Sequence, residues 1–476
     1  MDTTIADRQK PIVIYVPGLY ASRLTRGRHK SSSWSDEEHV WDPPTSVLRS
    51  LFSNKRAHSN LALPITWSPK EEDEDDDDDD SNQNDCNGQK GRRYLQDEDD
   101  IYASDCLYYP QAKLLDFFHA LNDHDLIELH KIPWDWRRGL EEAEAYVNAQ
   151  ITSICQTAQQ LQQQLQQQQQ QNVILVTHST GAMLSWPCLN QNPQWFKTWI
   201  SVGGCIAAGS NILLEDICQG WNAPGAGFIK LIAKETFFTF PTMFGYHIVP
   251  GETFRGQGDS DFVAVSENGV LTYLKEDVID YYNINDWEKY NLGIFGWKGK
   301  ENVTTEERQH LEHTFAGVKR FRQKHFVRNR NDGEDAFLDN PRNDYDRVRI
   351  VCYGSESQQT HSAYLVNLKT NSVDVSKSYL MAPGDGTLWK TCWSAIPGNL
   401  KVEIVPAQPG STHSSMLNDD KLLNLLMKEC FPNKGKLSKA TAVLNQIKLK
   451  RTISQVCVCG AVVGVLAVTL YFRRRS

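Results

Sequence analysis

The chain has 476 residues, of which 40% are hydrophobic, 10% aromatic and 23% charged. That is a globular composition, and the length allows two or three domains, or one α/β domain carrying insertions. The net charge of −9 is misleading, because residues 71–80 are ten consecutive acidic residues and the rest of the chain sits at +1. A near-neutral folded part lacks the basic field that nucleic-acid binding needs, so that class is excluded.

The eleven cysteines form no Cys-x-x-Cys pair with zinc spacing. Cys205 and Cys352 lie in apolar, strand-like runs where a free thiol acts as a small hydrophobe. The polar N-terminus shows no apolar secretory core. Reduced thiols without a disulfide framework are therefore expected. Thirteen tryptophans suit either a lipid- or carbohydrate-handling surface or a large aromatic core.

In chain order, the β-branched run Ile12–Val16 reads as a buried strand entering a Pro17-Gly18 turn. Residues 68–100 are low in complexity and too poor in apolar surface to order themselves, so an exposed disordered insertion is expected. Residues 139–171 contain no proline and read as a helix with a Gln-rich end. Strands are predicted at 173–176, 198–202, 348–353 and 402–405, with helical or irregular stretches between them. That alternation predicts an α/β fold, a mostly parallel sheet covered on both faces. Residues 205–345, aromatic-rich with few strand signals, are assigned to a cap or lid region. The catalytic domain is thus expected over 11–430, followed by a linker at 431–455.

Residues 456–472 carry no charge and lie between Lys448, Lys450, Arg451 and the Arg473-Arg474-Arg475 end. As a helix they would reach roughly 25 Å, the short end of what a bilayer core accepts. A C-terminal transmembrane helix is expected, inserted after synthesis and leaving the catalytic domain in the cytosol. The short span and basic tail suit the mitochondrial outer membrane or the endoplasmic reticulum.

The chemistry concentrates at Val176-Thr177-His178-Ser179-Thr180-Gly181, where a buried strand meets a Ser between small residues and a helical pattern follows. This is the context of a nucleophile elbow, in which a sharp turn lifts the hydroxyl above a sheet edge. Thr177 stands where the usual pattern has Gly. A serine needs a histidine to take its proton and a carboxylate to orient that histidine. The hydrolase chain order is Ser, acid, His. Asp385 lies in the turn Pro383-Gly384-Asp385-Gly386-Thr387, and His413 follows after the strand at 402–405. Two backbone N–H groups must receive the oxyanion. Thr180 supplies one, and Leu19 after the first strand is the candidate for the other, unless Leu19 is ordinary core.

These residues resemble the lecithin:cholesterol acyltransferase family, which includes phospholipid:diacylglycerol acyltransferases and a lysosomal phospholipase-transacylase. The matching pieces are Ile14-Tyr15-Val16-Pro17-Gly18 with Ser22-Arg23-Leu24, Pro133-Trp134-Asp135-Trp136-Arg137, and the Ser179 elbow. Later come Phe240-Pro241-Thr242-Met243-Phe244, Tyr353-Gly354, Gly384-Asp385-Gly386-Thr387 and His413-Ser414-Ser415-Met416. The resemblance implies an α/β-hydrolase fold, with nucleophile, acid and base on Ser179, Asp385 and His413. It places the oxyanion donors on Leu19 and Thr180. A Trp-bearing lid would fall near Trp34 and Trp41, but no Cys precedes Cys86 to form the lid disulfide of secreted relatives. The implied reaction takes an acyl group from a membrane glycerophospholipid to a lipid alcohol or water, with no metal or organic cofactor. A lipase or carboxylesterase that only hydrolyses, and an inactive membrane-anchored interaction protein, remain the alternatives.

Overall fold

The structure is a computed structural model. It describes residues 10–26, 38–41, 61–63, 65, 101–108, 111–164, 172–206, 234–247, 263–267, 270–273, 280–327, 348–362, 364–374, 381–397 and 400–445. The expected insertion at 68–100, Trp34 and the segment 456–472 lie outside these residues.

Six strands form the central sheet: β1 (Ile12–Val16), β5 (Glu128–Lys131), β6 (Val173–His178), β7 (Phe196–Val202), β10 (Arg349–Gly354) and β15 (Val402–Pro406). Their order is β15-β10-β7-β6-β1-β5, and every pairing is parallel. Parallel strands covered on both faces need apolar side chains in both directions. The central strand β6, Val-Ile-Leu-Val-Thr-His, is buried at every position. The edge strands β5 and β15 carry Glu128, His130, Lys131 and Glu403, and are more exposed.

Alternate side chains of each strand serve opposite layers. Val13, Tyr15, Ile174 and Val176 pack with the helices α1 (Ala112–Asp123) and α5 (Asp420–Cys430). Ile14, Val16, Val173 and Leu175 pack with α2 (Leu140–Gln164) and α3 (Thr180–Gln191) on the other face. After β1 the chain reaches β5 through α1, whereas after β6 it reaches β7 through α3. The carboxyl ends of β1 and β6 therefore lead to opposite faces. A crevice opens at such a reversal, and that is where ligands bind in open α/β sheets.

Three smaller sheets surround this frame. Antiparallel β2 (Ser22–Arg26), β3 (Glu38–Trp41) and β4 (Ile101–Cys106) follow the β1 turn. Strands β8 (Val263–Glu267), β9 (Val270–Tyr273), β12 (Tyr364–Asn367) and β13 (Ser372–Asp374) make a mixed sheet. Strands β11 (Gln358–His361) and β14 (Met381–Gly384) pair antiparallel just before Asp385. Within the expected cap, α4 (Thr305–Phe326) buries Leu311, Phe315, Val318 and Arg322 at helical spacing. Its N-terminus is closed by a reciprocal pair in which Glu307 N–H donates to Thr304 Oγ1 and Thr304 N–H to the Glu307 carboxylate. Residues 434–445, inside the stretch expected as a linker, are helical and bury Ala440 and Val443 against the α5 layer.

Among the described residues no helix is long and apolar enough to cross a membrane. Helices α2 and α4 have the length, but glutamates, glutamines, lysines and arginines interrupt their apolar stripes. The expected span at 456–472 is outside the described residues. The C-terminal transmembrane helix, the bilayer as partner and the tail-anchored, cytosol-facing location at the mitochondrial outer membrane or endoplasmic reticulum are corrected accordingly. The supported architecture is α/β, with parallel and antiparallel sheets.

Candidate active site

Strand β6 delivers Ser179 into a backbone conformation of φ 51° and ψ −123°. A non-glycine residue held there costs on the order of 1–3 kcal/mol, a strain typical of sites where one side chain must be lifted clear of the sheet. The turn is locked by Ser179 N–H donating to Val202 O at 3.1 Å and by Ala182 N–H donating to Ser179 O at 3.0 Å. Helix α3 then starts so close to β1 that a Cβ on Gly181 would stand 2.4 Å from Val16 O. Thr177 is fully buried and its hydroxyl accepts the Trp199 indole N–H at 2.9 Å. The departure from glycine at this position thus supplies an acceptor to a buried indole.

Asp385 is wholly buried, at 0% exposure, in the turn after β14. One carboxylate oxygen accepts Thr387 N–H at 2.9 Å and Leu388 N–H at 2.7 Å. The other, Oδ2, lies 2.7 Å from His413 Nδ1. His413 N–H also donates to Asp385 O at 2.8 Å, so the two residues are joined through backbone and side chain. With Nδ1 donating to a carboxylate, the neutral imidazole keeps its lone pair on Nε2, the form a general base requires.

Gly203, at the end of β7, has φ 52° and fits beneath this pair. A Cβ there would meet His413 Nδ1 at 3.1 Å and Asp385 Oδ2 at 3.4 Å. Ser179, Asp385 and His413 therefore all sit at the carboxyl end of the central sheet.

The candidate oxyanion donors occupy two separate turns. Thr180 opens α3, where a first-turn N–H has no acceptor within the helix. Leu19 is partly buried against the core, in the turn after β1. That turn is held from several sides. Trp134 Nε1–H donates to Pro17 O at 2.9 Å, Trp41 Nε1–H to Tyr20 O at 3.1 Å, and Trp136 Nε1–H to Ser22 O at 3.3 Å. Arg137, buried to 1% exposure, meets Asp135 through Nε at 3.0 Å and Nη2 at 2.7 Å. The neighbouring guanidinium holds the Asp135 carboxyl below the usual carboxylate range, against the opposing effect of burial. The Tyr20 hydroxyl reaches Met243 Sδ at 3.0 Å, which ties the Phe240–Phe244 motif to the same turn. Among the described residues, seven tryptophans are core: Trp41, Trp134, Trp136, Trp186, Trp199, Trp287 and Trp393 are fully buried.

Two neighbours of the site carried no separate signal in the sequence. The Thr180 hydroxyl lies 2.8 Å from Tyr246 OH. The His178 ring packs against that of His413 in a tilted arrangement, with ring centroids 4.9 Å apart. Burial, with His413 alongside, pushes the His178 pKa down to about 3. His178 could have been noticed only as the residue preceding the nucleophile, since its contact partner lies 235 positions away. No His, Cys, Asp or Glu group among the described residues is arranged to hold a metal ion.

The family model for lecithin:cholesterol acyltransferase matches residues 125–260, a stretch that contains the Asp135–Arg137 clamp and the Ser179 elbow. Over that stretch the chain is similar to the lecithin:cholesterol acyltransferase family. That similarity supports classing it as an enzyme of the serine hydrolase or acyltransferase type. No curated protein matches the chain. A solved structure, described as the crystal structure of the Tle4-Tli4 complex, is similar over 91% of this chain and 98% of that one. Its identity of 11% and TM-score of 0.44 are too low to carry an argument.

Proposed function

We propose that Ser179, Asp385 and His413 act as nucleophile, acid and base on the ester of a glycerophospholipid, forming an acyl-enzyme that a lipid alcohol or water resolves. The observation supporting this most directly is the buried Asp385–His413 pair, at 2.7 Å, beside a serine held in a strained turn. His413 Nε2 takes the hydroxyl proton as Ser179 Oγ attacks the ester carbonyl. The negative charge that develops on the carbonyl oxygen is received by the N–H groups of Leu19 and Thr180. Collapse expels the lysolipid alkoxide, which recovers the proton from His413. The acceptor alcohol or water then repeats the sequence, with His413 again as base. Asp385 keeps its negative charge throughout and stabilises the imidazolium.

The test is a comparison of the full chain with its Ser179→Ala, His413→Ala and Asp385→Asn variants. Each should lose about 10⁴-fold or more in turnover of a phospholipid ester, and Ser179→Ala with His413→Ala little more than either alone. A fluorophosphonate should label Ser179 in the wild type. Labelling that persists in Ser179→Ala would sink the assignment. Lipid analysis after incubation with mixed phospholipids and sterol or diacylglycerol reads out whether an alcohol or water resolves the acyl-enzyme.

A further inference from the structure

We infer that His178 is a positioning residue that holds the His413 loop and the Leu19 turn in register with Ser179. The inference rests on the triad reading above. His178 is the last residue of β6 and the immediate neighbour of Ser179, so its backbone is fixed by the strand that aims the nucleophile. Its ring is 5% exposed and lies between two loops distant in sequence. On one side it lies against the His413 ring, tilted at an interplanar angle of 39°, and its Nε2 lies 3.2 Å from His413 O. A carbonyl can only accept, so Nε2 carries the hydrogen. On the other side Nδ1 faces the β1 turn, where a Cβ on Gly18 would stand 2.8 Å away.

One imidazole thus spans the interval between the base and the turn bearing the candidate oxyanion donor. A purely space-filling role accounts for this poorly. The buried Nδ1 has no hydrogen-bond partner among the described residues, so a hydrocarbon side chain would have filled the site without leaving a buried polar atom unpaired. What the imidazole adds is a rigid ring with a donor at its far edge, aimed at the backbone of His413. Because the ring also stays uncharged, it does not oppose the positive charge that His413 acquires during acyl transfer.

Asn and Gln separate the positioning role from packing. His178→Gln places an amide N–H near the position of Nε2, whereas His178→Asn ends about one bond short of it. The full chain and both variants are titrated with a fluorophosphonate, and p-nitrophenyl butyrate turnover is expressed per labelled site. His178→Asn should label completely but slowly, with kcat down roughly 10- to 100-fold, the cost of misplacing a catalytic group by about 1 Å. KM should stay within about twofold, because the loss falls on the transition state rather than on binding. His178→Gln should recover most of the lost kcat. Wild-type kcat in His178→Asn overturns the inference. Equal losses in the two variants, or fewer labelled sites with unchanged turnover per site, would assign His178 to packing and also overturn it. Failure of the wild type to label at Ser179 overturns the triad reading, and this inference with it.

Discussion

At the scale of single residues, the site depends on where side chains are missing. Gly203 can adopt its positive φ and leaves room for His413 Nδ1 and Asp385 Oδ2 directly above it. In Gly203→Ala the backbone penalty is about 1 kcal/mol, the usual cost of a left-handed non-glycine residue. The chemical penalty should be larger, because the new methyl group pushes on the hydrogen bond that orients the imidazole. We expect a small fall in melting temperature and a drop in kcat of roughly 10-fold or more, with KM little changed. Parallel melting curves and steady-state kinetics check this. A variant that loses stability while keeping wild-type kcat would show that the pair tolerates the methyl group.

At the scale of elements, the segment from Pro133 to Arg137 acts as a brace. Its two indoles donate to the turn after β1 and to the start of β2, and its Arg137 is buried with Asp135 as ion-pair partner. Removing one partner of a buried pair leaves an uncompensated charge, which typically costs about 3–5 kcal/mol. Asp135→Asn keeps an oxygen acceptor and should fall at the low end of that range. Urea unfolding should show the loss, with kcat per folded molecule reduced because the turn carrying Leu19 is less firmly held. An unchanged urea midpoint would show that backbone acceptors alone satisfy Arg137.

The same segment shows what sequence patterns can carry. Buried parallel strands were legible because Ile12–Val16 and residues 173–176 are apolar runs rich in β-branched residues that lead into turns. Ser179, Asp385 and His413 stood out as candidates because each follows a strand or lies in a Gly-rich turn, in an order that hydrolases share. Strand β5, Glu-Leu-His-Lys, was not legible, since an edge strand keeps polar side chains and loses the apolar signature. Nor were β8 and β9, which are five and four residues long and lie in a region whose aromatics suggested a cap. The packing of His178 against His413 was out of reach, because a tertiary contact leaves no periodicity in the chain.

At the scale of the whole molecule, several buried histidines make the fold sensitive to acid. Burial lowers the pKa of His178, His247 and His325 to about 3 and that of His310 to about 4, from an ordinary value near 6.5. The unfolded chain therefore binds more protons than the folded one between pH 6.5 and those values. Stability is fully present above about pH 6.5 and is lost as the pH falls, by up to about 1.4 kcal/mol per pH unit for each histidine. The urea midpoint should be flat above pH 7 and fall steeply between pH 6 and 4.5. A midpoint that stayed constant down to pH 5 would show that these rings accept protons in place.

The carboxyl end of the central sheet also bears on how the protein is made. Its candidate parts come from residues 19, 179, 180, 385 and 413, carried on turns that follow β1, β6, β14 and β15. Neither a fragment nor a half-assembled sheet brings them together. Parallel pairings between distant segments form slowly, because loop closure precedes the contacts that reward it. During refolding, helical content should return well before esterase activity. Catalysis then serves as a clock that starts only when the pairings most distant in the chain, β1 with β6 and β7 with β10, have closed.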